Sequence, residues 1–160
     1  MTKNCFSGFI TSLLKLSVMI MAKINSTFSV EEIRERLSPL LQDKELKLVL
    51  LFGSSVSGKV HKQSDIDLAF LYDKPADILS LTNNVVRLLR TDSIDVVDLK
   101  HASPLLKFAV ARTCKIIHER QQGDFNEFYS LSFRMYIDTQ KLRDAQKSSI
   151  DHFLQARGLA

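Results

Sequence analysis

The sequence predicts a single α/β domain, a mixed sheet flanked by helices with a long helix at its C-terminal end. Three observations predict it. Short apolar runs at 46–52, 66–72 and 94–99 are bounded by glycine, proline or acidic residues, as buried strands are. Between them lie stretches with apolar residues at helical spacing, each opened by a capping signal. The chain has 160 residues, 45% hydrophobic and 25% charged, which bounds it to about one domain with one core and excludes wholesale disorder.

The elements follow in order. Residues 1–20 hold an apolar stretch (Phe9, Ile10, Leu13, Leu14, Leu16, Val18, Ile20) interrupted by Lys15, Ser7, Thr11, Ser12 and Ser17. These interruptions argue against a signal peptide or a membrane span. The stretch reads as an extension outside the fold, with Met19 and Met21 as alternative starts, or as a small helix packing on a partner. Ser29 and Glu32 form a capping box for a helix burying Ile33, Leu37, Leu40 and Leu41, ended near Pro39. A strand over 46–52 stops at Gly53, and a second covers 66–72. Pro75 and Asp77 open a helix carrying Ile78, Leu81, Val85 and Leu89. A third strand spans 94–99. Ser103-Pro104 starts another helix, with proline at the first helical position. Cys114–His118 reads as a short edge strand, and one long helix runs from Asp124 onward. The divisions are therefore 1–20 as extension, 21–120 as the main domain, and 121–160 as a C-terminal helical segment offering a partner-binding surface.

Charge and cysteine content narrow the function. There are 22 Lys and Arg against 18 Asp and Glu, a net +4 spread along the chain. No basic stripe of the kind that binds duplex DNA is present. Two cysteines, Cys5 and Cys114, cannot form a disulfide scaffold and show no zinc spacing. They read as reduced thiols of a cytoplasmic protein, Cys114 being buried. His61 lies in the loop after Gly53, and His101, His118 and His152 show no metal-ligand spacing.

The chemistry concentrates between Gly53 and Leu68. Asp65 and Asp67 are two residues apart at the start of a strand, so they share a face. Two such like charges repel unless solvated or compensated by a cation. Oxygen-only ligands of this kind suit Mg²⁺, while a solvated strand end would also accommodate them. Gly53-Ser54 directly follows a buried strand. There a glycine turn can aim the free N–H groups of a following helix at phosphate, with the Ser54 hydroxyl as a further donor. On the third strand, Asp95 and Asp98 lie on opposite faces, so at most one converges with the pair. Asp95, near the strand's beginning, is the preferred third ligand; Asp98 then faces solvent or caps the following turn.

Together, Gly53-Ser54, a ten-residue spacer, Asp65-Ile66-Asp67 and the later Asp95 resemble the signature of the polymerase β nucleotidyltransferase superfamily. Gly58, Ser64 and the apolar Leu68–Leu71 fit the same pattern. Asp95-Val-Val-Asp-Leu, Ala102-Ser-Pro-Leu-Leu and Ile117-His-Glu resemble its minimal (MNT) members in particular, and the likeness covers about residues 30–120. Many relatives carry arginines where this chain has Ser55 and Ser57. Their contacts are then missing or supplied by Lys59, Lys62, Arg87 or Arg90.

The resemblance implies a polymerase β-like fold and nucleotidyl transfer. Gly53, Ser54 and Ser64 would bind the nucleoside triphosphate, with ATP as substrate. Asp65 and Asp67 would coordinate two Mg²⁺ ions, and Asp95 the ion beside the attacking hydroxyl, with a possible second role as general base. Many minimal members are antitoxins that place AMP on a tyrosine of a HEPN-family RNase toxin. That implies a cognate toxin as partner and acceptor, a hetero-oligomer with it, and no membrane or duplex DNA partner. The aromatics Phe125, Phe128, Tyr129, Phe133 and Tyr136 fit either toxin docking or packing onto the sheet. The alternatives are an aminoglycoside-like or RNA-end acceptor, and a degenerate fold that neutralises a toxin by binding alone. A single domain of this size leads one to expect that the acceptor brings its own binding surface.

Overall fold

The computed structural model describes residues 28–56 and 65–159. The expectations for 1–20, Cys5, Met19, Met21, Ser57, Gly58, Lys59, His61, Lys62 and Ser64 lie outside the described residues.

Helix α1 (Val30–Leu37) begins with both halves of the Ser29/Glu32 capping box in place. Strand β1 (Leu46–Phe52) leads into a single 3₁₀ turn, Gly53–Ser55. Then come β2 (Ile66–Tyr72), α2 (Ile78–Leu89), β3 (Ile94–Asp98), α3 (Pro104–Thr113) and β4 (Lys115–Glu119). Asp77 caps α2 by accepting from the Leu79 and Ser80 N–H groups, and Ser103 caps α3 ahead of Pro104. The strands form one sheet in the order β3-β2-β1-β4, with β4 at an edge as expected. β1 is antiparallel to both β2 and β4, and β2 is parallel to β3, with α2 as the crossover.

Helices cover both faces, which makes the sheet the middle layer. Ile33 and Leu37 of α1 and Leu81, Val85 and Leu89 of α2 pack on Val49, Leu51, Leu68 and Phe70. On the other face Val110 and Ala111 of α3, together with Phe128, pack on Leu48, Leu50 and Ala69. Alternation along β1 would place Leu46 with Leu48. Instead Leu46 joins Val49, because the ladder to β2 shifts register between Leu46 and Leu48. The shift lets Lys47 and Leu48 serve the same side of the sheet.

The C-terminal segment differs from the single helix expected. It is two helices, α4 (Asp124–Asp138) and α5 (Gln140–Ala156), separated at Thr139. The Thr139 hydroxyl donates back to the carbonyls of Met135 (2.8 Å) and Tyr136 (3.3 Å), and the Arg143 guanidinium donates to the Tyr136 carbonyl (2.7 Å). Side chains thus serve the Tyr136 carbonyl where the helix is interrupted, while the Met135 carbonyl also keeps the Thr139 N–H at 3.2 Å. α5 buries none of its residues. Cys114 is half-buried rather than fully buried, and that burial pushes its thiol up to about 11.

Candidate active site

The parallel pairing of β2 and β3 sets Asp67 directly beside Asp95, and the antiparallel pairing of β1 and β2 sets Phe52 on its other side. Asp67 alternates with Ile66 and Leu68, which face α1 and α2, so it faces the α3/α4 side at the sheet's end. Asp65 lies exposed just before β2, and Asp95 is exposed on β3.

Gly53 joins the turn to this pair. Its φ is +74°, a conformation that side chains oppose. A Cβ built there would lie 1.9 Å from Asp67 Oδ2, so only glycine lets the turn run against the carboxylate. Ser54 follows in the same turn, half-buried. The expected helix after Gly53 is one 3₁₀ turn within the described residues, so the turn's own backbone supplies its donors there.

Electrostatics reports the same convergence. The Asp67 carboxyl is raised above the usual carboxylate range, first by burial, then by the charge of Asp95, then by that of Asp65. Among the described residues no Lys, Arg or His nitrogen comes within 4 Å of Asp67 or Asp95. Asp98 behaves differently. It lies opposite Phe70, accepts from the Lys100 N–H (2.8 Å) and pairs with His101 Nδ1. It closes the turn after β3, away from the other three carboxylates.

The donor set is one that a hard divalent cation satisfies: carboxylate oxygens only, Asp67 partly desolvated, and no described cation within 4 Å of Asp67 or Asp95. Among the described residues no three His, Cys, Asp or Glu are already gathered as a metal cage. The site is thus a facing pair, Asp67 and Asp95, with Asp65 at the strand mouth and Gly53-Ser54 alongside.

A helix-covered mixed sheet with a glycine turn against strand carboxylates defines a nucleotidyltransferase. Residues 35–123 match the family model described as Polymerase beta, Nucleotidyltransferase, and the chain belongs to that family. It is similar to the protein adenylyltransferase MntA of Aphanizomenon flos-aquae (strain 2012/KM1/D3), 30% identical over 144 residues, 82% of this chain and 96% of the relative. The MntA of Shewanella oneidensis is 35% identical over 112 residues, 66% of this chain and 78% of the relative. Among solved structures, a toxin–antitoxin with AMP-PNP superposes with a TM-score of 0.65 at 30% identity, covering 73% of this chain and 97% of that one. A chain from the complex of tri-AMPylated Shewanella oneidensis HEPN toxin with MNT antitoxin gives 0.62 at 27% identity, covering 76% and 98%.

Pairwise carboxylate spacing was readable in the sequence, whereas the close approach of Gly53 to Asp67 was not. The only sequence signal for it was a glycine ending an apolar strand. No helix among the described residues is long and apolar enough to cross a membrane.

Proposed function

We propose that this nucleotidyltransferase moves AMP from ATP to a tyrosine hydroxyl of a cognate HEPN-family RNase toxin and thereby acts as its antitoxin. The observation that carries the reading is the facing pair Asp67 and Asp95, Asp67 partly desolvated and neither with a described cation within 4 Å, against the Gly53 turn. The similarity to proteins named protein adenylyltransferase, and to the antitoxin bound to a tri-AMPylated HEPN toxin, supports the donor and the acceptor class. The neighbour with AMP-PNP supports an adenine nucleotide.

In the reaction, the tyrosine oxygen forms a bond to the α-phosphorus of ATP, the bond from that phosphorus to the bridging oxygen breaks, and pyrophosphate leaves. The phenolic proton passes to a base, and Asp95, exposed at the strand mouth, fills that role. Asp65, Asp67 and Asp95 would hold two Mg²⁺ ions, which when bound supply Lewis-acid stabilisation of the phosphoryl charge. Gly53 and Ser54, joined by Ser64, take the phosphates. Residues 121–160 supply the docking surface. Leu131, Phe133 and Ile137 of α4 and Leu142, Ile150 and Phe153 of α5 are all exposed, apolar side chains for a partner to cover. Phe128 alone of the α4 aromatics is buried. Tyr136 stacks on Phe108 with ring centroids 4.6 Å apart, and Arg143 lies over the Tyr136 ring.

The test is transfer of label from [α-³²P]ATP in Mg²⁺ to a HEPN-family RNase toxin supplied as acceptor. Label on that protein, absent with Asp65→Asn/Asp67→Asn, supports the reading. Full neutralisation by the double variant without label would mean that binding alone suffices. Label on an RNA or a small molecule instead would move the acceptor.

A further inference from the structure

The face of the sheet that carries Asp67 has a second feature at its other end. Asp67 and Leu71 are four residues apart on β2, about 13 Å along the strand. Beyond Leu71, between α3, α4 and the turn after β3, lies a cavity of about 250 Å³. Leu71, Leu99 and Phe128 form its apolar wall, and Lys100, Lys107 and Ser132 are among its polar groups.

Two observations indicate that the cavity is built for a ligand. Ser132 is 1% exposed and its hydroxyl has no hydrogen-bond partner among the described residues. Native folds rarely leave such a group unsatisfied. Lys100 and Lys107 send their ammonium groups only to backbone carbonyls, those of Asp73 and Lys100. Neither has a carboxylate within 4 Å among the described residues; Lys100 feels the more distant Asp73 charge, and Lys107 has no described ion-pair partner. Lys47, at the same cavity, shows the contrast: it is neutralised by Glu127 at 2.6 Å and Asp124 at 3.5 Å.

We infer that this cavity is a second ligand site, for a small carboxylate with an aromatic or branched apolar body. The body lies on Leu71, Leu99 and Phe128, the carboxylate meets Lys100 and Lys107, and the Ser132 hydroxyl gains its missing partner. Pockets for drug-sized ligands run to roughly 300–1,000 Å³. This one suits a molecule of about ten non-hydrogen atoms, whose affinity falls near the millimolar range. That size separates it from the nucleotide site.

The experiment is an NMR titration of the ¹⁵N-labelled full chain with phenylacetate, and with phenylacetamide as its neutral counterpart. Saturable shifts at the amides of Leu71, Lys107 and Ser132, with Gly53, Asp67 and Asp95 unmoved, are expected. Phenylacetamide and the Lys100→Gln/Lys107→Gln variant should each bind on the order of tenfold more weakly. Ser132→Leu, which fills the cavity, should abolish the shifts while keeping the folded spectrum. Absence of saturable shifts, shifts confined to the exposed face of α4 and α5, or unchanged binding in Ser132→Leu would overturn the site. Equal affinity for acid and amide would overturn the carboxylate assignment.

Discussion

The two ends of the sheet treat negative charge in opposite ways. At the end where β2 and β3 begin, Asp67 and Asp95 face one another with Asp65 nearby, and no described cation lies within 4 Å of the facing pair. At the other end carboxylates have partners. Asp73 is held below the usual carboxylate range, chiefly by the hydrogen bond from Arg120, and Lys74 pairs with Glu45 at 2.7 Å. Lys47 is held above its usual value, first by its bond to Glu127, and it reaches the nearly buried Asp124 as well. Asp98, on the same strand as Asp95, is tied to His101 and the Lys100 N–H. The same strands therefore carry a stabilised end and a strained one. A fold under selection for stability alone would not concentrate uncompensated carboxylates beside a turn that only glycine can make.

The largest effect expected from breaking this contrast is on catalysis. Asp95→Asn should lower transfer to the acceptor about 100-fold or more, read by label incorporation, with the fold intact by circular dichroism. Next is Gly53→Ala. The positive φ and the 1.9 Å approach to Asp67 Oδ2 both oppose a side chain, so a loss of about 1–3 kcal/mol in urea unfolding is expected, with reduced transfer. At the stabilised end, Lys47→Met removes the partner of Asp124 and Glu127. It should cost about 1–2 kcal/mol and leave transfer unchanged. Equal catalytic losses at both ends would break the contrast.

How much of this was legible in the sequence depends on the range of the interaction. Local chemistry was readable: Ser29 with Glu32, Asp77 and Ser103-Pro104 cap their helices as their residue types require. That Asp95 and Asp98 take opposite faces followed from strand alternation, whereas the choice between solvent and a turn cap for Asp98 is made by its bonds to the Lys100 N–H and His101. The pairing of Asp67 with Asp95 depends on the β2–β3 register, which two separate runs of apolar residues do not specify. The shift beside Lys47 and the break at Thr139 were equally hidden. The first depends on remote partners, β2 and α4 for Lys47; the second rests on Arg143 one turn ahead, a side-chain contact that apolar periodicity does not register. Ser132 reads as an ordinary polar helix residue until α3 and the sheet close around it.

The smallest expected effect is on pH dependence. His118 titrates below the usual imidazole value, first because it is partly buried and then because Arg34 is near. Its folded form is the weaker base. Stability is thus unaffected while the ring is neutral in both states, and is lost as pH falls through the usual imidazole range. With solvent screening the loss is about 1 kcal/mol or less, and His118→Gln should flatten that part of a urea-midpoint profile.

Asp67 has the opposite sign, because its folded carboxyl is the stronger proton acceptor. Its ionisation costs stability as pH rises from the usual carboxylate range through the raised value. Asp67→Asn therefore tests the central claim most directly, measured as thermal unfolding and AMP transfer on the same preparation at neutral pH. The account predicts a modestly more stable protein without added Mg²⁺, by about 1 kcal/mol or less after screening, that has lost transfer about 100-fold or more. A variant that is less stable, or that transfers AMP at the unaltered rate, would contradict it.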